Sequence, residues 1–252
     1  MAKKGQVTVF IILGIVVLAI FGLLYFAISR DYIETPFTRT SVVSVSDHVE
    51  ECINILGEEA IALIGKQGGD LQPSLYQNWC INSEECLQVS YLCYTEELVP
   101  CTNRRPFLSQ HMEKEISEYV DEHLIECVDP GLWEESGYSV SLGNYESKVS
   151  IGKEDVLITV DWPITIRKDT FVEQEERFSQ KFDVPLGLLA ETAYDIVQSE
   201  ISNGDFLVVP YVVSKKGNVE IEKHRPGKSK IYAVNAFQDD YKLYFAVQGW
   251  VL

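Results

Sequence analysis

The residues most able to do chemistry in this chain are its six cysteines. Cys52, Cys80, Cys86, Cys93, Cys101 and Cys127 fall in one 76-residue window, and none follows in the last 125 residues. An even, clustered set of thiols reads as a disulfide framework when the chain is exported. Counting alone leaves about fifteen pairings open. A second constellation is His111, Glu115, His123 and Cys127. Each neighbouring pair is one helical turn apart, the spacing at which two side chains share a metal ion. The histidines are twelve residues apart, however, which turns the two pairs about 120° away from each other on a helix. With Cys127 oxidised, both histidines become ordinary helix residues, so we expect no metal and no cofactor.

Other reactive groupings are weaker. Glu50-Glu51, Glu58-Glu59, Glu84-Glu85 and Glu173-Gln174-Glu175-Glu176 are acidic clusters, but no calcium-loop pattern accompanies them, and they read as solvated faces. Tyr76, Trp79, Tyr91 and Tyr94 suit a carbohydrate- or protein-binding surface, and equally the core of a cross-linked loop. The chain has no G-x-S-x-G elbow, no H-E-x-x-H, no glycine-rich phosphate loop and no C-x-x-C, which lowers the case for an enzyme.

The elements that must position these groups begin with a helix from near Ser41. Val45, Val49, Cys52, Leu56, Ala60 and Leu63 recur at three- and four-residue steps until Gly68-Gly69, the pattern of one buried stripe. Residues 70–107 carry three prolines and four cysteines without a sustained period, and read as a long cross-linked loop. A second helix follows from about Leu108 to Cys127, with Leu108, Met112, Ile116, Tyr119, His123 and Cys127 facing inward. Cys52 and Cys127 lie on the apolar faces of these helices, so packing the faces joins them. Closing that segment stabilises by roughly 4.5 kcal/mol in the chain-entropy picture. The remaining thiols pair within the loop, as Cys80–Cys86 and Cys93–Cys101 or crossed.

Beyond Tyr138 the period changes to two. YSVSL, SKVSI, DVLITVDWPITI and FVEQEERFSQKFDV read as strands, with Pro163 requiring an edge or a bulge. A helix from about Pro185 to Ser202 carries Leu186, Leu189, Ala193, Ile196, Val197 and Glu200 on one face. FLVVPYVV, NVEIEKH, SKIYAVNAF and YKLYFAVQGW then read as a four-stranded antiparallel meander. The expected fold class is α+β: a helical disulfide-rich region over residues 41–130 and an antiparallel-sheet domain with one packed helix over residues 138–252.

Residues 7–28 form an uncharged apolar run of 22, about 33 Å long as a helix against a hydrocarbon core of about 30 Å. No small-residue cleavage site follows, since Ile28 leads into Ser29, Arg30 and Asp31. Lys3 and Lys4 precede the run and keep the N-terminus cytoplasmic. This defines a stub and transmembrane helix over residues 1–30 and a hinge over residues 31–40. The expectation is a single-pass protein of the cell membrane, its partner the lipid bilayer and its C-terminal domain extracellular. The whole chain carries −17, so the exported part, without Lys3 and Lys4, is near −19. A surface that acidic repels phosphate backbones, which excludes nucleic acid.

Lys4-Gly5-Gln6-Val7, followed at once by the apolar run, resembles the class III signal of archaeal type IV pilin-like proteins. The start also looks like that of uncharacterised archaeal single-pass membrane proteins. The pilin-like resemblance implies cleavage between Gly5 and Gln6 on the cytoplasmic side, with the helix retained for packing against copies of itself. Phe10 stands where many such sequences carry a glutamate. A pilin-like surface or structural component, self-assembling or meeting other cell-surface proteins, is therefore the expected role. An anchored receptor for an extracellular ligand comes second, and an exported metal-dependent hydrolase third.

Overall fold

Val45–Gln67 forms a helix, α1, because its apolar residues recur at helical spacing and have three surfaces to meet. Val45, Val49, Cys52, Ile53, Leu56, Ala60, Ile61 and Ile64 are all buried. The helix ends where Gly68 turns left-handed (φ 78°) and returns its N–H to the Ile64 carbonyl, the conformation a side chain resists. The computed structural model describes residues 44–82, 85–97 and 99–249. The expected membrane helix, the hinge and the Gly5–Gln6 processing point lie outside the described residues. Among the described residues no helix is long and apolar enough to cross a membrane.

The stretch expected as an irregular loop is instead mostly sheet. β1 (Tyr76–Cys80) and β2 (Cys86–Tyr94) make an antiparallel hairpin, and β3 (Thr102–Asn103) pairs with the end of β2. Leu87, Val89 and Tyr91 do alternate inward along β2, but interposed cysteines and polar residues mask a period that short. α2 (Leu108–Val128) follows, and its buried stripe is Leu108, Met112, Ile116, Val120, Leu124 and Val128. The stripe keeps a strict four-residue step to the end, so Tyr119, His123 and Cys127 sit at its margin, only partly buried. A short helix, α3 (Gly131–Glu135), closes this half with Trp133 buried.

The next sheet is built from β4 (Ser139–Leu142), β5 (Glu146–Ile151), β6 (Val156–Lys168) and β7 (Phe171–Phe182). β4 and β5 lie end to end along one edge of β6, and β7 runs along the other. The register between β6 and β7 breaks between Asp161 and Ile164. That break holds Pro163, so the proline is accommodated by an irregularity inside a strand paired on both sides. The Trp162 indole N–H donates to the Gly143 carbonyl at 3.1 Å, and Gly143 N–H to the Pro163 carbonyl at 2.7 Å, which seals the gap.

α4 (Leu186–Asn203) buries Leu186, Leu189, Ala190, Ala193, Ile196, Val197 and Glu200, and packs on β9 and β10. FLVVPYVV is a correction: Val208–Ser214 is a helix, α5, with no buried residue of its own. Pro210 falls in its first turn, where the missing N–H costs nothing, and the buried Phe206 ring, 5.1 Å from Tyr211, fastens the segment. β8 (Val219–His224), β9 (Lys230–Ala236) and β10 (Leu243–Gln248) complete an antiparallel meander of three strands.

The strand order is β1-β2-β10-β9-β8. β10 runs parallel to β2, with Ala246 opposite Tyr91 and Val247 opposite Cys93. The fold is α+β as expected, but this sheet is mixed, and it joins residues 86–94 to residues 243–248. The expected regions 41–130 and 138–252 therefore share one sheet and one continuous core.

α1 reaches both sheets through its glycines. A Cβ on Gly57 would run into the Phe182 ring and Ile158, and one on Gly65 would stand 2.7 Å from the Lys242 carbonyl oxygen. We expect Gly57→Ala to destabilise the fold by about 2 kcal/mol through overpacking, although alanine is the better helix former. Urea unfolding of the oxidised protein measures this.

Candidate functional site

All six cysteines are bridged: Cys52–Cys127, Cys80–Cys86 and Cys93–Cys101. The first bridge joins α1 to α2 with Cα atoms 5.8 Å apart across 75 residues. The second spans a directly opposed pair at the turn of the β1–β2 hairpin, and the third ties the end of β2 to the loop before β3. The thiols are thus all committed to cross-links.

The aromatic residues come together, but mostly as packing. Trp79 lies over the His224 ring at 4.8 Å. β1 and β8 are the two ends of the strand order, so this contact requires the hairpin to fold across the face of its own sheet. Underneath, Leu87, Val89, Tyr91, Ile231 and Ala246 form a second small core, flanked by Leu75, Trp79, Tyr94 and Tyr244. The Tyr91 hydroxyl sits 2.6 Å from Ser229 Oγ and 3.0 Å from Gln77 Oε1. Tyr94 packs edge-on against Tyr91 at 4.9 Å. Tyr76 alone of the four is exposed. Three of the candidate binding residues hold the hairpin down.

A buried polar constellation is centred on Asp70, a residue that no spacing in the sequence singles out. Asp70 follows the glycine end of α1, Ser90 lies on β2, Arg105 precedes α2, and His111 sits in the first turn of α2. Ser90 Oγ–H donates to Asp70 Oδ2 at 2.5 Å. Arg105 donates to Oδ1 through Nε at 3.1 Å and Nη2 at 2.9 Å, and His111 Nε2 donates to the same oxygen at 2.5 Å. Burial works against the charge on Asp70, yet the bonds from His111, Ser90 and Arg105 outweigh it and hold the carboxyl at about 2, below its ordinary 3.8.

Glu115, one turn along from His111, accepts the Leu71 N–H at 2.9 Å and lies 3.8 Å from His111 Nε2. Asp70, His111 and Glu115 thus bring one potential ligand atom each within 4.8 Å of one another. This differs from the grouping considered in the sequence: Cys127 is in a disulfide, and His123 bonds the Tyr119 carbonyl at 2.8 Å while stacking on the Tyr119 ring. The donor set alone suits a divalent cation, but the Arg105 fork already fills the lone pairs of Asp70 Oδ1. A cation would have to displace it. A carboxyl held near 2 is also a poor general base at neutral pH. The constellation acts as a buried ionic clamp joining α1, β2 and α2.

A second clamp lies at the end of α4. Glu200, buried on the inward face, accepts from Lys230 Nζ at 2.6 Å and from the Tyr232 hydroxyl. Lys230 also bonds the Gly204 carbonyl at 2.6 Å. Asp205 is met by Lys223, by Lys230 at 3.0 Å and by Arg225 at 3.1 Å. Partial burial opposes its charge, but hydrogen bonds from Lys223 and Lys230 bring its carboxyl down to about 2. Burial, together with the Glu200 charge, pushes the Tyr232 phenol up. The helical period places Glu200 inward, whereas its partners Lys230 and Tyr232, some thirty residues away, leave no local trace.

No family model, no curated protein and no solved structure matches this chain.

Removing the central carboxylate should be costly. Asp70→Ala leaves Arg105 and His111 without their shared acceptor, and we expect a loss of about 3 kcal/mol in urea unfolding at neutral pH. The sign of the acid response follows from the lowered carboxyl: the unfolded chain binds the proton first, so the stabilisation is complete above about pH 4 and disappears as pH falls towards 2. That contribution is about 2 kcal/mol and should be missing from the pH profile of Asp70→Asn. The Asp205 contribution to the same acid limb should remain.

Proposed function

We propose that this chain is a membrane-anchored extracytoplasmic protein, working as a pilin-like surface or structural component whose disulfide-braced head is displayed outside the cell. The observation that carries the reading is the complete pairing of six cysteines in a domain that follows a 22-residue uncharged apolar run. Three bridges are the usual mark of an oxidising compartment, and the apolar run with Lys3 and Lys4 before it supplies the route there. The Lys4-Gly5-Gln6-Val7 start supports processing on the cytoplasmic side and retention of the helix for lateral packing. Losing Lys3 and Lys4 removes two of the charges that oppose such packing. The head is suited to a structural role because the polar groups around Asp70 and Glu200 tie helix ends to strands distant in sequence.

Two measurements on membranes from producing cells test this. Mass spectrometry of the terminal peptide is expected to give a mature chain beginning at Gln6; an intact start would leave a plain anchor and favour the receptor reading. Alkylation of the denatured, unreduced protein is expected to label no cysteine, and free thiols would overturn export itself.

A further inference from the structure

Three exposed apolar side chains gather at the end of the domain where the chain enters it. Ser44 and Val45 open α1, and both bond Glu173: Ser44 Oγ–H donates to Oε1 at 3.2 Å, and the Val45 N–H at 2.9 Å. Glu173 lies just past the β6–β7 turn, where Phe171 and Val172 are 46% and 57% exposed. The Phe171 ring meets Tyr138 edge-on at 6.0 Å. Tyr138 in turn bonds the Trp133 carbonyl of α3, the short helix that leaves Leu132 48% exposed. Lys168 borders the group, bonded to the Ser136 carbonyl at 2.7 Å and lying over the Tyr138 ring. The turn itself is Asp169-Thr170; Phe171 and Val172 open β7 and are left unburied by the domain, so core packing does not call for them here.

The tether indicates what covers them. The apolar run ends at Ile28 and the domain begins at Ser44, leaving residues 29–43 between, a reach of about 50 Å even fully extended. Ser44 is fastened to Glu173 beside the tip, so the tip stands at the tether's own end of the domain. We propose that the β6–β7 tip, Phe171 and Val172 together with Leu132 of α3, inserts shallowly into the surface of the bilayer that residues 7–28 cross. This rests on the anchored reading above. Apolar side chains entering the boundary between head groups and acyl chains gain the usual burial energy. Arg167 and Lys168, both exposed, sit at the height of lipid phosphates.

The full chain reconstituted in phosphatidylcholine liposomes tests the proposal, with acyl chains brominated near the head group as quenchers. Phe171→Trp and Val172→Trp place reporters at the tip; Leu207→Trp, at an exposed position just before α5 on the other sheet, is the control. The tip reporters are expected to lose about half of their added emission, the control almost none, as for a group sunk some 5–10 Å below the surface. Equal quenching at tip and control in a chain that resists carbonate extraction would overturn the tip contact and leave anchoring intact. A blue-shifted but unquenched tip would assign it to a second copy of the chain and overturn the lipid contact. Release by carbonate would overturn both anchoring and insertion.

Discussion

Close approach of α1 to two sheets and a second helix is the constraint on which the rest depends. A helix carrying side chains of ordinary size on every face would hold its neighbours too far away to share one core. Here Gly57 admits Phe182 and Ile158 of the β5–β6–β7 layer, Gly65 admits the backbone before β10, and Cys52 is bonded to α2. The sheets need no direct pairing with each other, because each is registered against the same rod. The Cys52–Cys127 bridge stabilises the arrangement further by removing long-loop freedom from the unfolded chain.

Charge is handled with the same economy of position. The chain is strongly acidic, and its two buried ionic clamps both lie at helix C-termini ended by a left-handed glycine: Asp70 after Gly68, and Glu200 with Asp205 around Gly204. Cations are favoured at such ends, where backbone carbonyls lack partners, and Lys230 bonds the Gly204 carbonyl directly. Each clamp then ties that helix end to strands distant in sequence, Ser90 on β2 in one case and Lys230 on β9 in the other. Breaking either strands a buried charge, so both specify where the chain turns as well as how firmly it holds.

Covalent and ionic bracing of this kind suits the extracytoplasmic head proposed above, because cross-links hold its shape without a partner. The hairpin closed by Cys80–Cys86 is a case in point. Folded over its own sheet, it turns Trp79, Tyr91 and Tyr94 from a candidate recognition face into the lid of a second core. Exposed apolar side chains remain at the domain's entry and on α5, and singly elsewhere, as at Phe107 and Phe237.

The local pattern by itself determined the apolar run, the helices α1, α2 and α4, the strands between residues 139 and 182, and the Cys52–Cys127 pair, while leaving open how the other four cysteines pair among themselves. Each of these depends on neighbours within a few turns, or, for Cys52 and Cys127, on two stripes that must face each other. Tertiary structure alone decided that residues 76–94 form a hairpin, that β2 and β10 run parallel, that the β-branched Val208–Ser214 segment coils into a helix, and that Asp70 is an ionic centre. The physical reason is that the deciding partners lie off the local period: Arg105 and His111 are 35 and 41 residues from Asp70, Ile231 and Ala246 lie under the hairpin, and Val208–Ser214 is fastened through Phe206 and Asp195. A one-dimensional periodicity carries no information about who will stand opposite.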